Sequence, residues 1–180
     1  MNNNKFIKGT GIYFRELQEI DLDGNWYKWF NDPEITFFQN KGIFPNTKEK
    51  QRQYYDFQLN SHNDVVFAII EEASEKHIGN VGLHHINWVS RSAELGIVLG
   101  EKNIWGKGYG KQSWQLITEY GFQVLNLHRI YAQIVEGNIA SCKSAEAAGF
   151  KREGLIRDVL FKNGKYLNMI YYNFVKTEVS

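Results

Sequence analysis

Residues 94–122 read ELGIVLGEKNIWGKGYGKQSWQLITEYGF, and this stretch decides the fold prediction. A mostly apolar segment interrupted by Gly96 predicts a strand over 93–101, and apolar residues near helical spacing predict a helix over 111–126. Between them lies a glycine corner, residues 103–112, with glycines at 106, 108 and 110. Because glycine weakens both helices and strands, three of them in one corner need a reason.

Two interpretations of the glycine corner are open from its spacing. The corner precedes a predicted helix, so its N–H groups lie where orphan donors and the helix dipole favour an anion, and its backbone is able to close around a phosphate. The alternative is a structural glycine turn. The pattern Gly-x-Gly-x-Gly matches neither the P-loop nor the dinucleotide fingerprint, so spacing alone does not choose between the two.

The rest of the chain predicts alternating strands and helices in the order β-α-α-β-β-β-α-β-α-β-β. The predicted strands lie at 11–17, 65–73, 76–88, 93–101 and 129–137, followed by a hairpin around Asn163-Gly164, and the predicted helices lie near 24–30, 47–61, 111–126 and 139–150. No repeat or linker divides the chain, so we expect one domain over residues 1–180. The predicted fold class is α/β (α+β), with a run of adjacent antiparallel strands.

The composition excludes several classes of protein. The 21 Lys and Arg side chains nearly balance the 20 Asp and Glu side chains, so the basic surplus typical of nucleic-acid-binding proteins is absent. No apolar run approaches membrane-spanning length, and the first residues, MNNNKFIKGT, lack the apolar stretch of a signal peptide. The single cysteine, Cys142, excludes an intramolecular disulfide framework. We therefore expect a cytoplasmic protein with no nucleic-acid or membrane partner.

Two ordered motifs resemble those of a known family. Residues 94–122 resemble the acetyl-CoA signature of the GNAT superfamily of N-acetyltransferases, and NIASCKSAEAAGFKREG (138–154) resembles the Asn-x-x-Ser/Ala helix and Gly-Phe of one branch. That branch contains the ribosomal-protein N-terminal acetyltransferases and spermidine acetyltransferase. FKNGKY (161–166) resembles its C-terminal hairpin, and WFNDPE (29–34) carries a weaker likeness. The resemblance implies a central mixed, mostly antiparallel sheet that is splayed at the acetyl-CoA site, with helices on both faces.

The resemblance also implies which residues hold acetyl-CoA, the co-substrate. A strand would bind the pantetheine arm through its backbone, the glycine corner would bind the pyrophosphate, and the second motif would add further contacts. These residues are Ile97, Val98 and Leu99 on the strand, Trp105, Gly106, Lys107, Gly108, Tyr109, Gly110 and Lys111 in the corner, and Asn138 and Ser144 in the second motif. Trp105 stands where the family usually has Gln or Arg. We expect no metal, because the histidines are scattered and adjacent His84 and His85 are poorly spaced for chelation.

Amide formation needs a proton donor for the departing thiolate. Many relatives use a tyrosine at a position that is Ala145 in this chain. The resemblance implies that Ser141, one helical turn earlier, takes this role; the alternative is a serine that satisfies an amide at the start of the helix. Neighbouring Cys142 is predicted to be a buried structural cysteine rather than a nucleophile.

The amine also needs a base to remove its proton. Glu94 is the first candidate, and the alternative is that it forms a salt bridge with Arg91. His84 and His85 are the second candidates, of which alternation along a strand would admit only one to the cleft. Glu136 is a third candidate and is more simply read as structural.

The acceptor predicted by the resemblance is a primary amine. Aromatic residues within NWYKWFNDPEITFFQ (25–39) either wall its pocket or pack a helix on the sheet, and Asp32 and Glu34 either attract an amine or form a turn. Deprotonating a lysine-like amine at pH 7 costs roughly 4–5 kcal/mol and an α-amine about 1 kcal/mol, so the strength of the base depends on the acceptor. The leading hypothesis is an N-acetyltransferase that acts on a peptide or protein N-terminus or on a small amine. A homodimer is a candidate assembly. The alternatives are an N-acetyltransferase of a nucleotide-linked amino sugar and a non-catalytic acyl-CoA-binding module.

Overall fold

The computed structural model describes residues 4–176, and within them eight strands form one sheet with the order β1-β2-β3-β4-β5-β6-β8-β7. The strands are β1 (Ile7–Lys8), β2 (Ile12–Glu16), β3 (Val65–Glu71), β4 (Lys76–Asn87), β5 (Ser92–Leu99), β6 (Arg129–Val135), β7 (Lys151–Lys162) and β8 (Lys165–Val175). The same residues contain four α-helices, namely α1 (Trp26–Trp29), α2 (Lys48–Asn60), α3 (Tyr109–Gln123) and α4 (Ile139–Ala147).

The sheet splits between β5 and β6. Every other neighbouring pair is antiparallel, whereas β5 and β6 are parallel and paired only from Ser92 with Arg129 to Glu94 with Tyr131. Beyond Glu94, β5 continues beside β4 alone and β6 continues beside β8 alone. The mixed, mostly antiparallel and splayed sheet that the resemblance implied is therefore confirmed.

The two faces of the sheet are covered by different helices. On β3, Phe67 and Ile69 belong to the main core, which includes residues of α3 and α4. Their neighbours Ala68 and Ile70 belong to a second core with residues of α1 and α2. This division follows from the alternation of side chains along a strand, and it confirms the prediction of helices on both faces.

The predicted order of elements is confirmed, with differences at their ends. Thr47 caps α2 by accepting a hydrogen bond from Lys50 N–H at 3.1 Å. Helix α1 follows Asn25 without a side-chain cap, and nearby Asp21 is buried in an ion pair with Arg15. The two-residue strand β1 was missed, since so short a segment carries no detectable alternation.

Candidate active site

The glycine corner has the backbone conformation that glycine permits. Gly106 and Gly108 have φ angles of +81° and +85°, and a Cβ atom at either position would meet nothing beyond its chain neighbours within 4 Å. Gly108 is the N-cap of α3, whose first hydrogen bond runs from Gln112 N–H to the Gly108 carbonyl at 3.1 Å. The N–H groups of the first helix residues before Gln112 have no acceptor within the helix, and such groups at a helix N-terminus favour an anion.

Side chains of the corner tie it to the sheet. The Trp105 indole donates a hydrogen bond to the Leu99 carbonyl at 3.0 Å, which fixes the corner to the end of β5. Lys107 forms an ion pair with Glu71 at 3.0 Å, and the Tyr109 hydroxyl lies 3.5 Å from the same carboxylate. The charge of Lys107 is therefore partly engaged by the protein before any phosphate binds.

Ser144 of α4 borders the corner. A Cβ atom at Gly110 would lie 3.5 Å from the Leu99 side chain and 3.9 Å from Ser144 Oγ. The Ser144 hydroxyl donates to the Ala140 carbonyl at 2.9 Å, so only its oxygen lone pairs are left for a ligand. Lys111 is exposed and has no ion-pair partner within residues 4–176.

A cavity of about 900 Å³ opens where β5 and β6 separate. Its volume is in the range of small-molecule sites. The predicted site residues in its lining are Glu94, Ile97, Val98, Asn138 and Ser141. The glycine corner, Leu99 and Ser144 lie outside that lining. The candidate site therefore has two parts, the cavity and the corner, which are joined along the end of β5.

Asn138 and Ser141, at the start of α4, have different hydrogen-bonding roles. The Asn138 side chain is the N-cap and accepts a hydrogen bond from Ser141 N–H at 3.2 Å. The alternative in which Ser141 itself satisfies a helix amide is wrong, because Asn138 does so. The Ser141 hydroxyl has no protein partner in the described part of the chain and lines the cavity. Cys142 is free and buried in the main core, as predicted.

A β-bulge brings two adjacent histidines into the cavity. His85 has a φ of +52°, and the register of β4 against β5 shifts between His84 and Asn87. The prediction that only one of the two histidines enters the cleft is wrong, because a bulge breaks the alternation of side chains. Glu94 lies with its Oε2 3.4 Å from His85 Nδ1, so its partner is this histidine and not Arg91.

His84 makes a contact that the sequence did not predict. Its Nδ1 lies 3.1 Å from Oδ1 of Asp64, which precedes β3. Burial raises the pKa of Asp64, but hydrogen bonds from the Ser61 hydroxyl, the His85 N–H and His84 outweigh this effect and hold the pKa below its usual value. Burial lowers the pKa of His84, and the opposing hydrogen bond and charge of Asp64 do not fully offset it. Burial therefore favours the neutral form of this imidazole.

The loop of residues 36–46, named the acceptor loop, forms one wall of the cavity through residues 38–46, and the C-terminal hairpin holds it in place. The Lys162 ammonium donates to the backbone carbonyls of Thr36, Gln39 and Lys41, the latter two at 2.8 Å. Burial lowers the pKa of Lys162. Phe38 packs on the same hairpin. No local sequence pattern predicts this contact, because Lys162 is more than 100 residues from the loop.

The N-terminal aromatic residues divide between the two predicted roles. Trp26, Phe30 and Phe38 line the cavity, while Trp26 and Trp29 are buried in the core under α1. Phe37 is half-exposed and lies outside the lining. Both interpretations of this aromatic segment are therefore correct for some of its members.

The predicted acidic pair and the third base lie elsewhere. Asp32 and Glu34 each contact the Lys102 ammonium at 2.9 Å, and Asp32 accepts N–H groups of the following turn, so the turn interpretation is confirmed. Glu136 accepts a hydrogen bond from Asn168 at 2.8 Å and is outside the cavity lining, as a structural role requires.

The cavity is not strongly acidic. Its ionisable lining residues are Lys41, Lys50, Tyr54, His84, His85 and Glu94. No cluster of three or more His, Cys, Asp or Glu side chains suited to a metal ion occurs within residues 4–176. Across the same residues, no helix has the length and apolar character needed to cross a membrane.

The chain matches known acetyltransferases over most of its length. Residues 12–151 match the acetyltransferase (GNAT) domain family. The uncharacterized N-acetyltransferase p20 of Bacillus licheniformis is 30% identical over 91% of this chain and 90% of its own. The putative ribosomal N-acetyltransferase YdaF of Bacillus subtilis is 29% identical over 90% and 82%.

A solved structure supports the fold. The crystal structure of spermidine N-acetyltransferase from Vibrio cholerae, in complex with CoA and spermine, has a TM-score of 0.84 at 24% identity and covers 93% of this chain and 96% of its own. The chain belongs to the GNAT acetyltransferase family and is an N-acetyltransferase that transfers acetyl from acetyl-CoA to an amine.

Proposed function

We propose that the protein acetylates the primary amine of a peptide N-terminus or of a small monoamine bound in the cavity. The observation that carries this proposal is the separation of β5 from β6 after Glu94, which leaves one backbone edge of Ile97–Leu99 without a strand partner beside the cavity. In this proposal the edge binds the pantetheine arm, the glycine corner and Ser144 bind the phosphates, and a backbone N–H near Val98 stabilises the oxyanion.

The charges of the cavity support an acceptor with one ammonium rather than several. Glu94 is the only carboxylate in the lining, against Lys41 and Lys50. A polyamine carries several ammonium groups, and each would need a counter-charge that this lining lacks. An α-amine also needs only about 1 kcal/mol to become neutral at pH 7, so it is the less demanding acceptor.

Two residues of the cavity have proposed roles at the reacting atoms. Glu94 attracts the acceptor ammonium, and the sequence-based prediction also makes it the base. Ser141 protonates the thiolate of CoA as the carbon–sulfur bond breaks, because its hydroxyl lines the cavity without a protein partner in the described chain. Asn138 positions Ser141 by capping α4, and its contact with the co-substrate stays a prediction.

The proposal includes assembly and location. A homodimer formed at edge strand β7 is supported by side chains that are apolar and more than 40% exposed, namely Leu155, Ile156, Val159 and Phe161. Light scattering after size exclusion measures this directly. We also propose that the protein acts in the reducing cytoplasm, where a free, buried cysteine such as Cys142 stays reduced. The proposal treats residues 1–180 as one catalytic domain.

The test is thiol release from acetyl-CoA in the presence of a panel of amines. The panel contains peptides with free N-termini, amino acids, monoamines, spermidine and nucleotide-linked amino sugars. We expect turnover with the α-amines or monoamines. Preference for spermidine or for the amino sugars would overturn the proposed acceptor class. CoA binding without turnover on any amine would favour the acyl-CoA-binding module.

A further inference from the structure

His84 and Asp64 form a supported pair at the edge of the cavity. Their side chains are 26% and 11% exposed, and Nδ1 lies 3.1 Å from Oδ1. Asp64 also accepts hydrogen bonds from the Ser61 hydroxyl at 2.7 Å and from the His85 N–H at 3.2 Å. A carboxylate held by three donors has a fixed direction, and it orients the imidazole that bonds to it.

Two glycines make room for this imidazole on the sheet. Gly82 of β4 and Gly96 of β5 are paired across the strands, and a Cβ atom at either would lie 3.2 Å from His84 Nε2. Larger residues at these positions would crowd the ring. Nε2 has no hydrogen-bond partner among residues 4–176. His84 lines the cavity and stands opposite Glu94, after which β5 is no longer paired with β6, and its ring lies over the Gly82–Gly96 pair, next to the pair of Val81 with Ile97.

The hydrogen bond to Asp64 sets the tautomer of His84. A carboxylate accepts, so Nδ1 carries the proton and Nε2 keeps its lone pair for the cavity. The other ionisable groups around the ring are His85 of β4, Glu94 of β5, Lys50 and Tyr54 of α2 and Lys41 of the acceptor loop. Glu94 is paired with His85 and stands directly across from His84 in the β4–β5 register.

We propose that His84 Nε2 takes the proton from the acceptor ammonium, that Asp64 is the positioning residue that fixes this tautomer, and that Glu94 attracts the ammonium without removing its proton. The inference rests on the proposed acetylation of an amine in this cavity. It replaces Glu94 by His84 as the base, because a neutral imidazole has a lone pair and a pKa nearer to that of an amine than a carboxylate has.

The proton balance of the step is complete. The ammonium gives one proton to Nε2, which releases it to solvent, and the neutral nitrogen forms a bond to the thioester carbonyl carbon. The carbon–sulfur bond then breaks, and the second nitrogen proton ends on the sulfur through the Ser141 hydroxyl. One ammonium and one thioester yield an amide, a thiol and one proton.

Kinetics of two variants test the proposal, measured with the amine that gives the highest turnover. We expect His84→Gln to lower kcat/KM for the amine at least about 100-fold at pH 7, as loss of a general base does. Asp64→Asn keeps the imidazole but favours the wrong tautomer, and we expect a loss of about tenfold or more. His128→Gln, at an exposed histidine outside the cavity lining, is the matched control.

The pH profile separates a base from a structural residue. Burial lowers the pKa of His84 from the ordinary histidine value, so its protonation gives kcat/KM of the wild type an acidic limb below that value, which His84→Gln should abolish. The deficit of this variant should shrink as the pH rises above the pKa of the acceptor amine. Retention of the limb in His84→Gln, or its loss in Glu94→Gln with His84 intact, would overturn the proposal.

A spectroscopic measurement needs neither turnover nor a variant that folds. NMR of the wild type labelled with ¹⁵N reports the tautomer of each imidazole, with His84 assigned by sequential connectivity. We expect the proton of neutral His84 on Nδ1. A proton on Nε2 would refute the proposal, even if the enzyme acetylates amines. Absence of amine acetylation by the wild type, with the Nδ1–H tautomer observed, would instead reject the proposed function on which the inference depends.

Discussion

Replacement of Gly108 by tryptophan tests whether the glycine corner binds the co-substrate. Gly108 has a φ of +85°, so any other residue there carries left-handed strain of about 1–2 kcal/mol. For a chain of 180 residues this corresponds to a fall in Tm of about 3–6 °C. The Cβ atom of the new side chain meets nothing beyond its chain neighbours within 4 Å, so the indole extends into the open space proposed for the phosphates.

We expect Gly108→Trp to change the free energy of CoA binding by more than it changes the free energy of unfolding. Displacing a phosphate from even one backbone N–H removes a charge-assisted hydrogen bond of about 1.5–3 kcal/mol, which raises Kd roughly 10- to 150-fold. Isothermal titration with CoA measures this Kd directly. Because the indole also fills the site, we expect the upper part of this range or beyond.

Gly164 supplies the matched control. It has a φ of +76° in the turn between β7 and β8, and a Cβ atom there also meets nothing within 4 Å. Gly164→Trp should therefore lose similar stability and bind CoA as the wild type does. If Gly108→Trp binds CoA within threefold of the wild type while losing the same stability as the control, the corner is only a structural turn.

Further predictions concern the acceptor loop, the second core and the proton donor. Lys162→Met leaves the three carbonyls of the acceptor loop without their donor, so we expect the free energy of unfolding to fall by about 1–2 kcal/mol. The KM for the amine should rise, and the Kd for CoA in titration should stay unchanged. An unchanged amine KM would show that the contact with Lys162 does not shape the cavity. Asp21→Asn leaves buried Arg15 unpaired and should cost about 3–5 kcal/mol in urea unfolding at pH 7. Burial raises the pKa of Asp21, but the hydrogen bond from Arg15 and the other partners of the carboxylate bring the pKa below its ordinary value. The stability that the Asp21–Arg15 pair contributes is therefore present above about pH 4 and is lost as the pH falls through the lowered pKa. Equal urea midpoints of wild type and variant at pH 7 would contradict this prediction. Ser141→Ala should lower kcat about 100-fold and leave CoA affinity and Tm unchanged. Ser144→Ala should weaken CoA binding and leave kcat nearly intact. The reverse pattern would exchange the roles assigned to the two serines.

Local sequence patterns determined the order of the elements and the position of the glycine corner between β5 and α3. The mostly apolar runs of β3 and β5, the cap at Thr47 and the Asn163-Gly164 turn each depend on residues close together in the chain, so local patterns suffice to predict them. Positive φ at Gly106 and Gly108 is likewise a local requirement, which only glycine meets without strain.

The tertiary structure decided which side chains meet in the cavity. Asp64 and His84 are 20 residues apart, and the clamp of Lys162 on the acceptor loop joins residues more than 120 positions apart. The bulge at His85 brings in a histidine that regular alternation would place on the opposite face. Pairwise contacts of this kind depend on how strands and helices assemble, and no local propensity encodes them. The sequence alone therefore located the corner and the strand that splays. The contacts of the residues proposed for proton transfer were decided by packing between distant segments, because distance and burial, and not residue type alone, determine what a side chain can do.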